Sequence, residues 1–256
     1  MYRYLLKIAF DGTDYHGWQV QPNGISVQEK LQDSLEKMFD FRPAVTGCSR
    51  TDAGVHANEF YCHFDLNNDI SVYGIVKGLN SVLPNDIRAL ECKRVDSDFH
   101  CRYNAVAKNY IYRIDTSEIL SPFDCRYAMH YVGDLNIEKM NEFCKNIVGT
   151  KDFCGFSSSK RTVTDTVRTI YECFVSKKDN IIELSITGNG FLYNMVRIIA
   201  GTALEAGQNR INSEDFDKII NSRDRSLAGK TLVPHGLFLN KVYYSGDALN
   251  VGIQKG

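Results

Sequence analysis

Gly47-Cys48-Ser49-Arg50-Thr51-Asp52-Ala53-Gly54-Val55-His56-Ala57 joins two apolar, strand-like runs, residues 43–46 and 59–64. The joining residues suit neither a strand nor a helix. Gly47 and Gly54 admit backbone angles closed to other residues. Between them lie a guanidinium, two hydroxyls, a carboxylate and an imidazole. A loop so dense in reactive groups, held between strands, is where a rigid scaffold displays function. Asp52 by itself reads as turn chemistry, because an Asp ahead of a glycine usually caps a turn or faces water. A chemical role for it requires a partner cation and a substrate surface elsewhere in the chain.

Working outward, residues 59–64 place Phe60, Cys62 and Phe64 on one strand face. Upstream, Leu6, Ile8 and Phe10 alternate with Leu5, Lys7 and Ala9, which predicts a strand over 4–10. The polar loop 11–21 follows, with the only Trp, Trp18. Its two glycines are expected to let it shape itself around a ligand, and Trp18 either joins in or covers the core edge. Ser26 and Glu29 have capping-box spacing, and Val27, Leu31, Leu35, Met38 and Phe39 form a helical apolar stripe. Downstream, a helix over 72–82 ends at Pro84, and a strand covers 87–95. The order is β-α-β-β-α-β, the ferredoxin-like split βαβ unit.

The second half repeats this order with longer loops: strand 109–115, helix 137–148, a hairpin of 166–176 and 181–187, helices 191–206 and 215–221, and a last strand 237–243. The predicted class is α+β. Two ferredoxin-like (βαββαβ) subdomains, 1–105 and 106–250, are expected side by side, forming an extended mixed sheet with helices on one face and a central active-site cleft.

Length and composition allow this. The 256 residues are 43% hydrophobic, with 14 Tyr and 14 Phe, enough for a packed core. The net charge of −1 identifies no partner, although a basic cleft can hide among compensating acids. No apolar run approaches the ~18 residues of a membrane span, and the N-terminal residues lead directly into a strand. None of the eight cysteines shows C-x-x-C or zinc-ligand spacing. Reduced thiols in the cytoplasm, with no metal and no disulfide frame, are expected.

Further polar segments are candidates to face the cleft. Phe99-His100-Cys101-Arg102 joins two bases to an aromatic. Lys108-Asn109-Tyr110-Ile111-Tyr112 puts two tyrosines on one strand face. A basic loop, 153–161, is followed by Arg168, and Arg197 is the lone charge in an apolar helix. Burying such a charge unpaired is costly, so Arg197 must reach the surface or a carboxylate. Cys101 beside His100 suggests a nucleophile, but adjacent residues on a strand point to opposite faces.

The segments Asp11-Gly12-Thr13-Asp14-Tyr15-His16-Gly17-Trp18-Gln19, Arg50-Thr51-Asp52-Ala53-Gly54-Val55-His56, Phe99-His100-Cys101-Arg102, Gly190-Phe191-Leu192-Tyr193-Asn194-Met195-Val196-Arg197 and Gly236-Leu237-Phe238-Leu239 resemble, in order and over nearly the whole chain, the motifs of the bacterial tRNA pseudouridine synthase A family. Departures are small: Lys160 stands before Arg161-Thr162 where relatives often have Ser, and Val233-Pro234-His235-Gly236 is a variant of a loose motif. The resemblance implies two ferredoxin-like halves, a homodimer holding tRNA, and isomerisation of uridine to pseudouridine on the 3′ side of the anticodon stem-loop. No cofactor or metal is implied. The family's catalytic aspartate falls on Asp52, its partner base on Arg197 and its base-stacking tyrosine on Tyr110.

A uridine in a stem must leave the stack to be modified. Arg50 is the candidate to fill the vacated space, with a phosphate contact as the alternative. His56 is placed among the substrate-binding residues. His100, Arg102, Lys108, Arg161 and Arg168, with Lys160, are assigned to RNA binding, which predicts salt-dependent association. Two other readings stand beside this one: a non-catalytic RNA-binding or tRNA-folding module, and a paralogue acting on another RNA uridine. An intact Asp52, Tyr110 and Arg197 set argues against a pure binder, which has no use for it.

Overall fold

The computed structural model describes residues 1–158 and 164–245. It is an α+β protein, and the chain divides into two compact units. One unit is Met1–Val106 together with the chain from Phe238 on; the other is Ala107–Leu237. The last strand, which order along the chain assigns to the second half, is grouped with the first.

In the first unit, β1 (Tyr2–Phe10) lies antiparallel between β3 (His56–Leu66) and β4 (Ile87–Val95). The register pairs Tyr4 with Phe64, Leu6 with Cys62 and Ile8 with Phe60. One face of the sheet is therefore apolar and fully buried, as strand alternation requires. Each such side chain contributes ~1.5–3 kcal/mol by leaving water. The opposite face is charged. Arg3 grips Asp65 with two 2.8 Å bonds, and Lys7 lies 3.1 Å from Glu91.

Two helices belong to this unit. α1 (Val27–Phe39) begins at the expected capping box, where Ser26 Oγ accepts from the Glu29 amide and Glu29 Oε2 accepts from the Ser26 amide. It buries Val27, Leu31 and Leu35. α2 (Val72–Val82) buries Ile75 and Leu79 and packs against β4.

The predicted strand over 43–46 is not formed. β2 is only Thr46–Gly47, paired with β3. Instead of a sheet neighbour, side chains of α1 satisfy this backbone: Gln28 donates to the Val45 carbonyl at 2.8 Å and Gln32 to the Pro43 carbonyl at 3.0 Å. Pro43 has no amide to give a ladder. The same edge of β3 is shared with β10 (Leu237–Tyr244), which pairs in parallel as Phe238↔His56 and Leu239↔Ala57.

In the second unit, β5 (Ala105–Asp115), β9 (Ile181–Gly188), β8 (Val167–Lys178) and β7 (Gly149–Asp152) adjoin in that order, all antiparallel. A two-residue strand, β6 (Met129–His130), flanks β5 in parallel. α3 (Ile137–Asn146) packs on β8 and on α4 (Met195–Gly207), and α5 (Ser213–Asn221) packs on α3. α4 starts four residues later than its apolar run predicts, because Asn194 sits at φ 61° and cannot continue a helix. Nearly all of α4 is buried, which explains its continuous apolar sequence.

Candidate active site

The loop at 47–55 is held in place by the polar loop before α1. Trp18 donates its amide to the Thr51 carbonyl at 3.3 Å, and Gly54 donates to the Tyr15 carbonyl at 3.2 Å. The Asp52 carbonyl accepts the Val55 amide at 3.2 Å, closing a turn with Gly54 at φ 76°. That third turn position needs a residue at ease with positive φ. Cys48 fastens the loop's other end, its amide reaching the Tyr61 carbonyl at 2.8 Å. Asp52 is thus a half-buried carboxylate on a fixed turn, and Arg50, two residues earlier, is exposed. Beside it, the Thr51 hydroxyl is buried and has no hydrogen-bond partner among the described residues.

The 11–21 loop is not the adaptable element its glycines suggest. Gly17, at φ 83°, lies so close to the Thr51 carbonyl that a Cβ would overlap its oxygen. Tyr15 is pinned by a 2.7 Å bond to Asp86, and its hydroxyl pKa is raised by burial and by that carboxylate. Trp18 is 3% exposed and stacks on Phe60 at 4.1 Å. Of its two readings, core cover is the one observed.

His56 is also interior. The residue is 1% exposed, and its ring stacks on Phe238 at 4.7 Å. Nδ1 accepts the Gly12 amide at 3.0 Å and lies 3.1 Å from Asp11 Oδ1. A nitrogen that accepts an N–H cannot also donate to a carboxylate, so this geometry is that of a hydrogen-bonded imidazole holding two loops together.

Residues 99–104 form a turn, not a strand. His100 accepts the Arg102 and Tyr103 amides on Nδ1 at 3.2 and 3.4 Å and stacks on Tyr103 at 4.2 Å. Arg102 is exposed. Cys101 is fully buried, with its thiol 3.1 Å from the Thr46 carbonyl. Burial therefore removes it as a nucleophile, not the strand alternation first supposed. All eight cysteines are thiols, and Cys125 alone among them is exposed. Among the described residues no group of three or more His, Cys, Asp or Glu could hold a metal ion.

In the second unit, Tyr110 lies on β5 opposite Ile186, its ring edge-on to Phe191 at 5.1 Å. It is 6% exposed. Lys108, half-buried, pairs with Gly188 across β5 and β9. Arg168 is half-buried on β8, its guanidinium 2.6 Å from the Val167 carbonyl and 3.8 Å from Asp165. Lys160 and Arg161 lie outside the described residues.

Arg197 stands in the first turn of α4, where the helix dipole opposes a cation. Specific acceptors hold it there: the Leu232 carbonyl at 2.7 Å from Nε and Asn194 Oδ1 at 2.9 Å from Nη1. Asn194 was not singled out from the sequence. Its signal was available, since Asn is among the few residues that tolerate the left-handed region just ahead of a helix. The Leu232 carbonyl left no signal, because any residue there offers the same backbone oxygen.

The family described as tRNA pseudouridine synthase matches residues 7–104 and 143–245. A protein of Clostridium kluyveri called tRNA pseudouridine synthase A is 44% identical over 93% of this chain and 98% of its own length. Proteins of the same description from Thermoanaerobacter sp. and Lacticaseibacillus casei are 40% and 42% identical, over 94% and 95% of this chain and 98% and 100% of theirs.

Proposed function

Since the chain belongs to the tRNA pseudouridine synthase family and is an isomerase of tRNA uridine, we propose that Asp52 is the carboxylate that carries the reaction. The observation supporting this is the loop itself: a half-buried carboxylate on a turn fixed from both sides by backbone hydrogen bonds. Fixed placement of this kind is where proximity and orientation lower a barrier. In the isomerisation the bond from the ribose C1′ to N1 of uracil breaks, the base turns, and C1′ bonds to C5. The proton on C5 leaves and N1 gains one, so atoms balance without an oxidant or an energy source.

An ionised carboxylate suits this chemistry by covalent addition to ribose or base, or by stabilising an oxocarbenium-like sugar, as in glycosidases. In this reading Arg197 keeps Asp52 ionised by opposite charge. Tyr110 stacks on the uracil, an interaction worth ~1–3 kcal/mol. Arg50 enters the space the base leaves or contacts a phosphate. His100, Arg102, Lys108 and Arg168 contact RNA, while His56, being interior, acts only by holding the loop. The site of modification is the 3′ side of the anticodon stem-loop, and the working form is a homodimer in the cytoplasm. No described helix is long and apolar enough to cross a membrane.

The test is mass-based pseudouridine mapping of unmodified tRNA transcripts incubated with the pure protein, without added cofactor or metal. New pseudouridine confined to the anticodon arm is expected, and Asp52→Asn should lose it while still binding tRNA. Isomerisation at an undiminished rate by Asp52→Asn overturns the assignment of Asp52. Sedimentation with and without tRNA tests the dimer.

A further inference from the structure

The segment 228–233, between α5 and β10, runs back along α4 and is fastened to it at successive points. Near one end, the Gly229 amide donates to Thr202 Oγ1 at 2.9 Å. That hydroxyl in turn donates to the Ile198 carbonyl at 2.9 Å, and Thr202 is fully buried. One hydroxyl thus joins strap and helix using both its donor and its acceptor capacity. The Lys230 amide reaches Glu205 Oε1 at 3.3 Å. Where the strap crosses Gly201 no side chain fits, since a Cβ there would overlap the Lys230 carbonyl oxygen. From outside, Arg225 braces the Ala228 carbonyl and the Thr231 hydroxyl, each at 3.1 Å.

At its other end the strap meets Arg197 reciprocally. The Leu232 amide donates to the Arg197 carbonyl at 3.3 Å, and Arg197 Nε donates to the Leu232 carbonyl at 2.7 Å. The next carbonyl, Val233, accepts the hydroxyl of the fully buried Tyr112 at 2.8 Å. With Nε on Leu232 and Nη1 on Asn194, two nitrogens of one rigid plane are anchored, which sets the orientation of the guanidinium. The helix dipole does not favour a cation at this end, and the strap and cap counter it with acceptors on Nε and Nη1.

We propose that the strap is the device that aims Arg197 during the reaction, making Tyr112, Gly201 and Thr202 positioning residues for catalysis. This rests on the reading of Arg197 as the partner of the catalytic carboxylate. A misplacement of ~1 Å at a catalytic group costs on the order of a hundredfold in rate. Loss of one tether out of several is therefore expected to show in kcat well before the fold fails.

The experiment compares Tyr112→Phe, Thr202→Val, Thr202→Ser and Arg197→Ala by kcat, KM and tRNA Kd for pseudouridine formation, with urea unfolding in parallel. Tyr112→Phe and Thr202→Val should lower kcat by about tenfold or more with KM and tRNA Kd within about twofold of wild type. Thr202→Ser, which keeps the hydroxyl bridge, should recover most of the lost kcat. A purely structural strap would lower the unfolding midpoint and leave kcat of the folded protein unchanged, and that result overturns the proposal. Should Thr202→Val fail to fold, Tyr112→Phe decides alone, because its ring still fills the buried space. If Arg197→Ala proves fully active, the catalytic reading of Arg197 fails and this proposal falls with it. If Arg197→Ala is inactive while Tyr112→Phe and Thr202→Val keep wild-type kcat, only this proposal fails.

Discussion

The side chains that lend themselves to direct tests sit close to Asp52 in sequence or in the sheet beside it. His63 is 6% exposed and accepts the Cys101 amide at 3.3 Å. Burial first, then the nearby Arg3 and His100, push its pKa down to about 4. The unfolded chain therefore binds a proton at His63 between about pH 6.5 and 4 that the folded chain refuses, and stability falls as pH drops through that window. The slope from one such group is at most ~1.4 kcal/mol per pH unit. Urea unfolding at pH 6.5 and 4.5 should show this loss in the wild type, and His63→Asn, which retains an acceptor, should show a smaller one. An equal loss in both would mean that other groups govern the acid limb. Thr51 tests the opposite sign. Its hydroxyl is buried with no partner among the described residues, so Thr51→Val removes an unsatisfied group at constant shape. Such replacements are neutral or stabilising, and the thermal midpoint should hold or rise. A clear drop would reveal a bond made through ordered water. The same few residues show what sequence could and could not distinguish. Asp52 and Arg197 stood out by chemical type, one on a turn and one alone in an apolar run. His56 has the same side chain as a surface histidine, and only the fold shows it buried against Phe238.

At the scale of elements, what succeeded was local. The capping box of α1 was legible because both partners lie within one turn, and it forms as read. Ser26→Ala should cost ~1 kcal/mol, by loss of the acceptor for the Glu29 amide, measurable as a lower urea midpoint at unchanged m-value. A change below a few tenths of a kcal/mol would mean that the Glu29 side chain or water takes over the cap. Strand alternation likewise placed the side chains of β1 and β3 on the correct faces. The larger failure has a non-local cause. Residues 43–46 read as a strand, yet Gln28 and Gln32 from α1 satisfy their carbonyls, so that no ladder is needed. Periodicity cannot register a competing partner on a neighbouring helix. The other failure is local: the apolar run before α4 overstated the helix, because backbone angle at Asn194, not hydropathy, sets its start.

For the molecule as a whole, pairings over long separations decide what sequence hides. The strand from Phe238 on was assigned to the second half by order, but it is held to β3, with Asn58 reaching Asn240 across 182 positions. Nothing in a local window announces that partner. The same scale governs RNA binding. With a net charge of −1, the chain has no overall attraction for a polyanion, so affinity must come from a few cations placed against phosphates. Each phosphate neutralised adds ~0.7–0.9 to the slope of log K against log salt. Arg50 and Arg102 are exposed, whereas His56 is buried. Titrating tRNA binding over a range of salt should therefore give Arg102→Gln, and Arg50→Gln if it contacts a phosphate, a slope shallower by about one, with weaker binding at low salt. His56→Gln should leave the slope unchanged, whatever it does to stability. If Arg50 instead fills the space left by the uridine, Arg50→Gln should keep the wild-type slope and lower the rate of isomerisation. If Arg102→Gln keeps the wild-type slope and affinity, the exposed turn at 99–104 is not part of the RNA surface. In that case the cations that displace counterions from the RNA must lie elsewhere in the chain.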